Sequence, residues 1–420
     1  MHITILALGS RGDVQPFVPL GKALQKAGHR VRVATFELFA PMIREAGLEF
    51  YLLRGDAQAL LNTAMTGDHA PQNTSPLQAM RALSRSYGQL TQTLPQDLAG
   101  VRGTDLILNQ LPSNLFGGDL AEHLGISWAI VAVIPLTRTS AFPLMGFSRA
   151  LSWVPGFNRF TYWFGEQMGW QLFRKTVNRL RTKTWGLPPQ PFFGPFKSNA
   201  QKQIPVVCGF SEQVAPRPPD WGSHVHLTGW WFPEEPAWIP PPELVQFLEA
   251  GPPPVFIGFG SMLVPDPART TATLIEAVKL SGRRAILHAG WAGLGRVPFP
   301  PEIFPITYAP YGWLFPKMAA IVHHGGSGTT GFGFASGVPS LMVPFVFDQF
   351  YWGARAAELG VGPKPIPFTQ LTAERLAAAI KTAVTDPDMR RRAANLGQKL
   401  RAENGVARAV ELVETFKRRL

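Results

Sequence analysis

Short apolar runs alternate with stretches of helical spacing along the chain, starting at the first residues. Residues 2–8 (HITILAL) form a β-rich apolar run that reads as a buried strand, broken by GSRGD at 9–13. Over residues 16–27, Phe17, Leu20 and Leu24 share one helical face and Gly28 is placed to cap the end; VRVAT at 31–35 is the next strand. This β-loop-α-β unit opens a doubly wound parallel sheet. Further strands are expected at 106–108 and 129–133. The pattern then restarts. Three prolines at 252–254 lead into VFIGF at 255–259 and Gly260-Ser261, followed by a helix over 270–280 and strands at 285–287, 320–322 and 341–343. The intervening region is rich in Pro and Trp and has little periodicity. The expected division is an N-terminal α/β domain at 1–216, a connection at 217–253, a C-terminal α/β domain at 254–400 and a helix at 401–420 with Lys417, Arg418 and Arg419 at its end. That helix is expected to pack back on the N-terminal domain. In such sheets, ligands bind beyond the carboxyl ends of the strands, where both glycine loops fall.

Composition narrows the class. Of 420 residues, 45% are hydrophobic and 16% charged, which suits a packed folded chain and excludes wholesale disorder. Cys208 is the one cysteine, so no internal disulfide forms, and no Cys/His spacing resembles a zinc site. The most apolar run, 126–136, falls short of the roughly 20 residues that cross a bilayer. No charged-then-apolar signal layout is found at the N-terminus, so the expected location is cytoplasmic, at most peripheral on the inner membrane face.

Forty basic against 28 acidic residues leave a net charge of +12. The excess is local: residues 141–200 carry eight Lys/Arg, the single acid Glu166, and 14 of the 47 aromatics. Trp163, Trp170, Phe173, Val177 and Leu180 follow one helical stripe, with Arg174, Lys175, Arg179, Arg181 and Lys183 interleaved. Two readings stand. The stripe is an acceptor or membrane patch, resting on an anionic bilayer that supplies a lipid alcohol, or it is core with a solvated basic face. No nucleic-acid module is evident.

The strongest local signal is HHGGSGTT at 323–330. A strand ending in glycines, then hydroxyl residues at a helix start, leaves several backbone N–H groups pointing outward at the positive end of a helix dipole. That is an anion site, with Ser327, Thr329 or Thr330 as added donors and His324 at the strand end. It is not a Walker A loop, because no lysine follows the glycines, and it differs from GxGxxG.

At this point a resemblance becomes specific. HHGGSGTT, continuing as SGVPSLMVPFVFDQFYWGARAAELGVG at 336–362, resembles the donor-binding segment of family 1 glycosyltransferases of the GT-B fold. Within that family it is most similar to sterol 3-β-glucosyltransferases and their bacterial relatives. GSRGDVQPFVPLGKALQKAGHRVRVAT at 9–35, GFGS at 258–261 and YAPYGWLFP at 308–316 carry the same likeness, so it spans nearly the whole chain.

The resemblance implies two Rossmann-like doubly wound domains facing across a cleft. It also implies inverting, metal-independent transfer of a sugar, glucose from UDP-glucose, to a hydroxyl of a hydrophobic acceptor such as a sterol. No cofactor is implied, and the protein is expected to be a monomer or weak oligomer. Asp13 falls where the family places its base; its own position in a loop equally suits a helix cap. Ser261, His324, Ser327, Gly328 and Thr329 match diphosphate-binding positions, Asp348 and Gln349 the donor-sugar pair, and Tyr308 and Trp313 the nucleobase support. At the position where plant-type members place a ribose-binding Glu, this chain has Phe332. Two alternatives stay open: a polyketide, flavonoid or carotenoid-type acceptor, or a non-catalytic nucleotide-sugar or lipid-binding module.

Overall fold

A computed structural model of the chain describes every residue except 56–92, 95, 99–100, 111–113, 235–237, 291–292, 295–297 and 417–420. The described chain divides into two compact units, one made of Met1–Gly209, Arg217–Pro233 and Gly405–Leu420, the other of Phe210–Pro216 and Glu234–Asn404.

The first unit is built on seven parallel strands: β1 (His2–Leu6), β2 (Arg30–Thr35), β3 (Glu49–Leu52), β4 (Leu106–Gln110), β5 (Ser127–Ala132), β6 (Val206–Cys208) and β7 (Val225–Leu227). Their spatial order is β3-β2-β1-β4-β5-β6-β7. Ile3, Ile5, Ile107 and Leu108 on the central strands are fully buried, as expected where both sheet faces are covered. After β1 the chain turns through α1 (Arg11–Val14) and α2 (Phe17–Lys26), which buries Phe17, Leu20 and Leu24. The long helix α3 (Phe157–Arg179) buries Tyr162, Trp170, Phe173 and Val177. The C-terminal helix Gly405–Phe416 packs against α2 and contributes Ala409, Val413 and Phe416 to the same core. Its basic end, Lys417 to Arg419, lies outside the described residues.

The second unit carries β8 (Val255–Gly258), β9 (Ala285–His288), β10 (Ile303–Ile306), β11 (Ala320–His323) and β12 (Ser340–Met342), all parallel in the order β10-β9-β8-β11-β12. Pro305 sits in β10, at the edge of the sheet, where its missing N–H breaks no inner ladder. Two helices follow the last strands: α4 (Ser327–Ser336) after β11 and α5 (Asp348–Glu358) after β12.

The domain limits differ from those expected. Residues 217–253 are not a simple connection, because β7 extends the first sheet and Pro242–Glu249 is a helix of the second unit. The segment Phe210–Pro216 belongs to the second unit. Phe210 packs against Trp352 at 6.1 Å, the Ser211 hydroxyl donates to Glu403 at 2.6 Å, and Arg355 donates to the Val214 carbonyl at 2.8 Å. The second unit also runs on to Asn404, so the C-terminal helix begins at Gly405 rather than at 401.

Candidate functional site

In both sheets the strand order reverses between the first strand and the fourth, at β1/β4 and at β8/β11. A doubly wound sheet opens its ligand crevice at such a point. Asp13 and Gln110 lie at the ends of β1 and β4, and Ser261, His324 and the start of α4 lie at the ends of β8 and β11. Tyr308 and Trp313 follow β10, and Asp348 and Gln349 follow β12.

In the second unit, β11 ends in His323 and continues through His324-Gly325-Gly326 into α4. Gly326 is the cap residue and brings no capping side chain to the first turn of α4, which consists of Ser327, Gly328 and Thr329. His324 is 8% exposed and wedged between two glycine loops. A Cβ on Gly260 would come within 2.9 Å of its Cε1, and one on Gly326 within 2.4 Å of its Nε2. Only glycine allows the ring to lie there, with Nε2 against the start of α4. Burial holds the His324 pKa down to about 4; burial and the neighbouring His324 hold His323 down to about 3. Both imidazoles are therefore neutral at neutral pH. His323 accepts the Gly325 N–H on Nδ1 at 3.1 Å, so it shapes the loop. Ser261, after β8, is half-buried at the same reversal.

Asp348 opens α5 with a half-exposed carboxylate that accepts the Trp352 indole N–H at 3.1 Å. Gln349 does not face outward as a sugar-binding role requires. It is 4% exposed, its Oε1 accepts the Phe345 and Val346 N–H groups at 2.8 and 3.2 Å, and its Nε2 lies 3.2 Å from the Met262 sulfur. The amide thus holds the β12–α5 loop, because those two loop amides have a buried acceptor in reach. In the same loop Phe347 has φ +48°, a backbone region that favours glycine, and its ring is 65% exposed.

Tyr308 is exposed and Trp313 half-buried; both meet Trp238, at 6.5 and 4.9 Å between ring centroids. Lys317 lies 4.3 Å over the Trp313 ring, which leaves Tyr308 the more open platform. Trp238 was invisible as a site residue in the sequence, since it falls in the region read as a connection. Phe332, at the position where plant-type members were expected to place a ribose-binding Glu, packs against Tyr311 at 6.0 Å between ring centroids.

In the first unit, Asp13 sits in α1 directly after the β1 loop. Its Oδ2 accepts the Ser10 N–H at 2.7 Å and the Ser10 hydroxyl at 2.8 Å, so it does serve as part of a helix cap. Its Oδ1 accepts from Gln110 Nε2 at 3.0 Å. Burial raises the Asp13 pKa above the ordinary carboxylate value, and the bonds from Ser10 and Gln110 oppose that rise. Gly9, at φ +134°, makes the cap possible, since a Cβ there would lie 2.4 Å from Asp13 Oδ2. Gln110 is a partner that sequence reasoning missed. The available signal was its place at the end of the fourth strand, beside the loop after the first.

The aromatic stripe requires a correction. Trp170 and Phe173 are 1% and 6% exposed and belong to the first unit's core, so they present nothing to a membrane. Of the predicted patch, Trp163 alone is exposed, at 42%. Arg181 is buried too, bonded to Asp119 and Glu122, and so adds no surface charge.

Two Rossmann-like units, each a parallel sheet whose strand order reverses once, define an α/β protein of the GT-B class. Residues 3–143 match the glycosyltransferase family 28 N-terminal domain, and residues 294–414 match the C-terminal domain of erythromycin biosynthesis protein CIII-like proteins. The chain is 35% identical over 98% of its length to a sterol 3-beta-glucosyltransferase of Arabidopsis thaliana, and it covers 67% of that relative. It is also 35% identical to the O-mycaminosyltylonolide 6-deoxyallosyltransferase of Streptomyces fradiae, covering 99% of this chain and 97% of that one. Among fungal relatives the chain spans much less, 27% of a Cryptococcus neoformans sterol 3-beta-glucosyltransferase. Among solved structures, the calicheamicin glycosyltransferase CalG4 matches with a TM-score of 0.70 at 19% identity, covering 100% of this chain and 99% of that one. VinC, solved in complex with DTDP, matches at 0.65 and 20% identity, covering both chains fully. The chain belongs to this family of glycosyltransferases.

Proposed function

We propose that the chain transfers glucose from UDP-glucose to the hydroxyl of a hydrophobic, sterol-like alcohol with inversion at the sugar carbon. The observation that carries the reading is the β11–α4 turn, where a neutral imidazole and the first-turn amides converge. The acceptor oxygen attacks the anomeric carbon as its proton passes to the Asp13 carboxylate. The bond from that carbon to the diphosphate breaks, and UDP departs with the electron pair. The Ser327, Gly328 and Thr329 amides, the Ser261 hydroxyl and a His324 ring N–H are preset donors for the growing negative charge. These uncharged donors stabilise the leaving group by hydrogen bonding, and the reading invokes no divalent ion. Asp348 is assigned to the sugar hydroxyls, Gln349 to holding its loop, and Tyr308, backed by Trp238 and Trp313, to the base.

A raised carboxylate pKa suits a base that must accept a proton near neutral pH. Radiolabelled UDP-glucose is incubated with the protein and a solubilised sterol, and the lipid extract is counted. Labelled lipid is expected. Asp13→Asn should keep UDP binding by thermal shift and lose about 10²- to 10⁴-fold in kcat; near-normal turnover would remove Asp13 from the mechanism. A second reading has its own support: the match to the Streptomyces deoxyallosyltransferase covers 97% of that protein, which favours a macrolide-type acceptor and a deoxysugar donor. Label transferred to a macrolide aglycone and not to sterol would select it.

A further inference from the structure

Among the described residues, seven of the fourteen large hydrophobic side chains left exposed lie between 151 and 193. They form an organised face rather than scattered contacts. On α3, Phe160, Phe164, Gln167, Gln171 and Arg174 follow one another at spacings of three or four, flanking the buried row Trp170, Phe173 and Val177. Phe160 meets Trp163 at 5.8 Å and Phe164 at 6.0 Å, and Phe147 meets Phe164 edge-on at 6.0 Å.

The same stripe carries a second aromatic pair. Gln167 and Gln171 donate to the Phe193 and Phe192 carbonyls at 3.0 and 2.9 Å, and buried Trp170 donates to Phe192 as well at 2.8 Å. These bonds fix the loop so that Phe192 and Phe193 stand 57% and 62% exposed, with Arg174 lying 4.3 Å over the Phe192 ring. Trp153, just ahead of the helix, is 78% exposed.

The charge is one-sided. Lys175 and Arg179 are exposed on the C-terminal half of α3. The single acid of the segment, Glu166, is held by Arg138. Rigid aromatics at the surface with cations beside them and no free acid match the interface of a bilayer whose headgroups are anionic. Rings enter the headgroup boundary while Lys and Arg meet lipid phosphates.

We propose that this face, carried by Trp153, Phe160, Phe164, Phe192 and Phe193 with Lys175 and Arg179, docks the protein on an anionic lipid bilayer. The docking does not depend on sugar transfer, and its test reads binding alone.

Co-sedimentation compares vesicles of phosphatidylcholine with vesicles containing phosphatidylglycerol. The full chain is expected to bind the anionic vesicles at least about tenfold more tightly. Lys175→Gln with Arg179→Gln should weaken that binding about fivefold per charge. The triple variant Trp153→Ser/Phe160→Ser/Phe164→Ser should lose binding while keeping the wild-type melting temperature. A wild-type chain that stays in the supernatant overturns the proposal. So does a folded triple variant that still sediments. A wild-type dimer in sedimentation velocity that the triple variant dissolves also overturns it, in favour of a second copy as the occupant.

Discussion

Gln110 adds one hydrogen bond to the two from Ser10 that hold Asp13 toward its charged form. Its amide donates to Oδ1 at 3.0 Å, while Ser10 holds Oδ2, so all the observed donors favour the charged carboxylate against the burial that raises its pKa. Gln110→Leu removes one of them. A hydrogen bond to a charged group contributes about 1.5 kcal/mol or more, which corresponds to roughly one pH unit. The acid limb of the kcat/KM profile should therefore move about one unit toward higher pH, because a base with a higher pKa stays protonated further up the scale. A Gln110→Leu profile that overlays the wild type would make the contact incidental. In the sequence, the place of Asp13 after the first strand suits a helix cap, and only the family resemblance makes it a candidate base. Its partner Gln110 was not legible there, because 97 residues separate the two and only the pairing of β1 with β4 brings them together.

At the scale of elements, α3 illustrates how periodicity identifies a stripe without saying which way it faces. The spacing of Trp163, Trp170, Phe173, Val177 and Leu180 was correct as a helical repeat, but the core takes all of them except Trp163. Helix orientation depends on what lies beneath it, and that information is not local. The distinction is measurable. Trp170→Ala should cost about 3–5 kcal/mol in the urea unfolding free energy, since it empties a fully buried site and removes one of the two hydrogen bonds to the Phe192 carbonyl. Phe160→Ser, on the exposed side, should stay within about 0.5 kcal/mol. Equal losses would contradict the assignment of faces. The anion turn is the opposite case. Its strand-to-helix turn follows from glycines and hydroxyls in a fixed local order, so the shape of 323–330 could be read before the fold was known.

For the whole molecule, the buried histidines tie folding to pH. His323 and His324 have folded pKa values lowered to about 3 and about 4, against an ordinary value of 6.5. A base with a lowered folded pKa stabilises fully above its unfolded pKa and loses that contribution as pH falls toward the folded value. At pH 5 the unfolded chain has bound both protons and the folded chain neither, which costs about 2 kcal/mol for each histidine relative to neutral pH. The melting temperature should fall between pH 6.5 and pH 4, and His323→Asn/His324→Asn should flatten that slope. An unchanged slope would mean that other groups set the acid limit.

The sequence by itself determined that there are two α/β halves, each opening on a strand and a glycine loop, and it placed the glycine turn at 323–330 between a strand and a helix. These are consequences of spacing and of residue types within one or two turns of chain. Tertiary structure alone decided that Gln110 braces Asp13, that Gln349 turns inward to hold a loop, that Trp238 joins Tyr308 and Trp313, and that Phe210–Pro216 belongs to the second unit. Each of these depends on burial or on a hydrogen-bond partner supplied from far along the chain, and sheet order and packing bring those distant groups together.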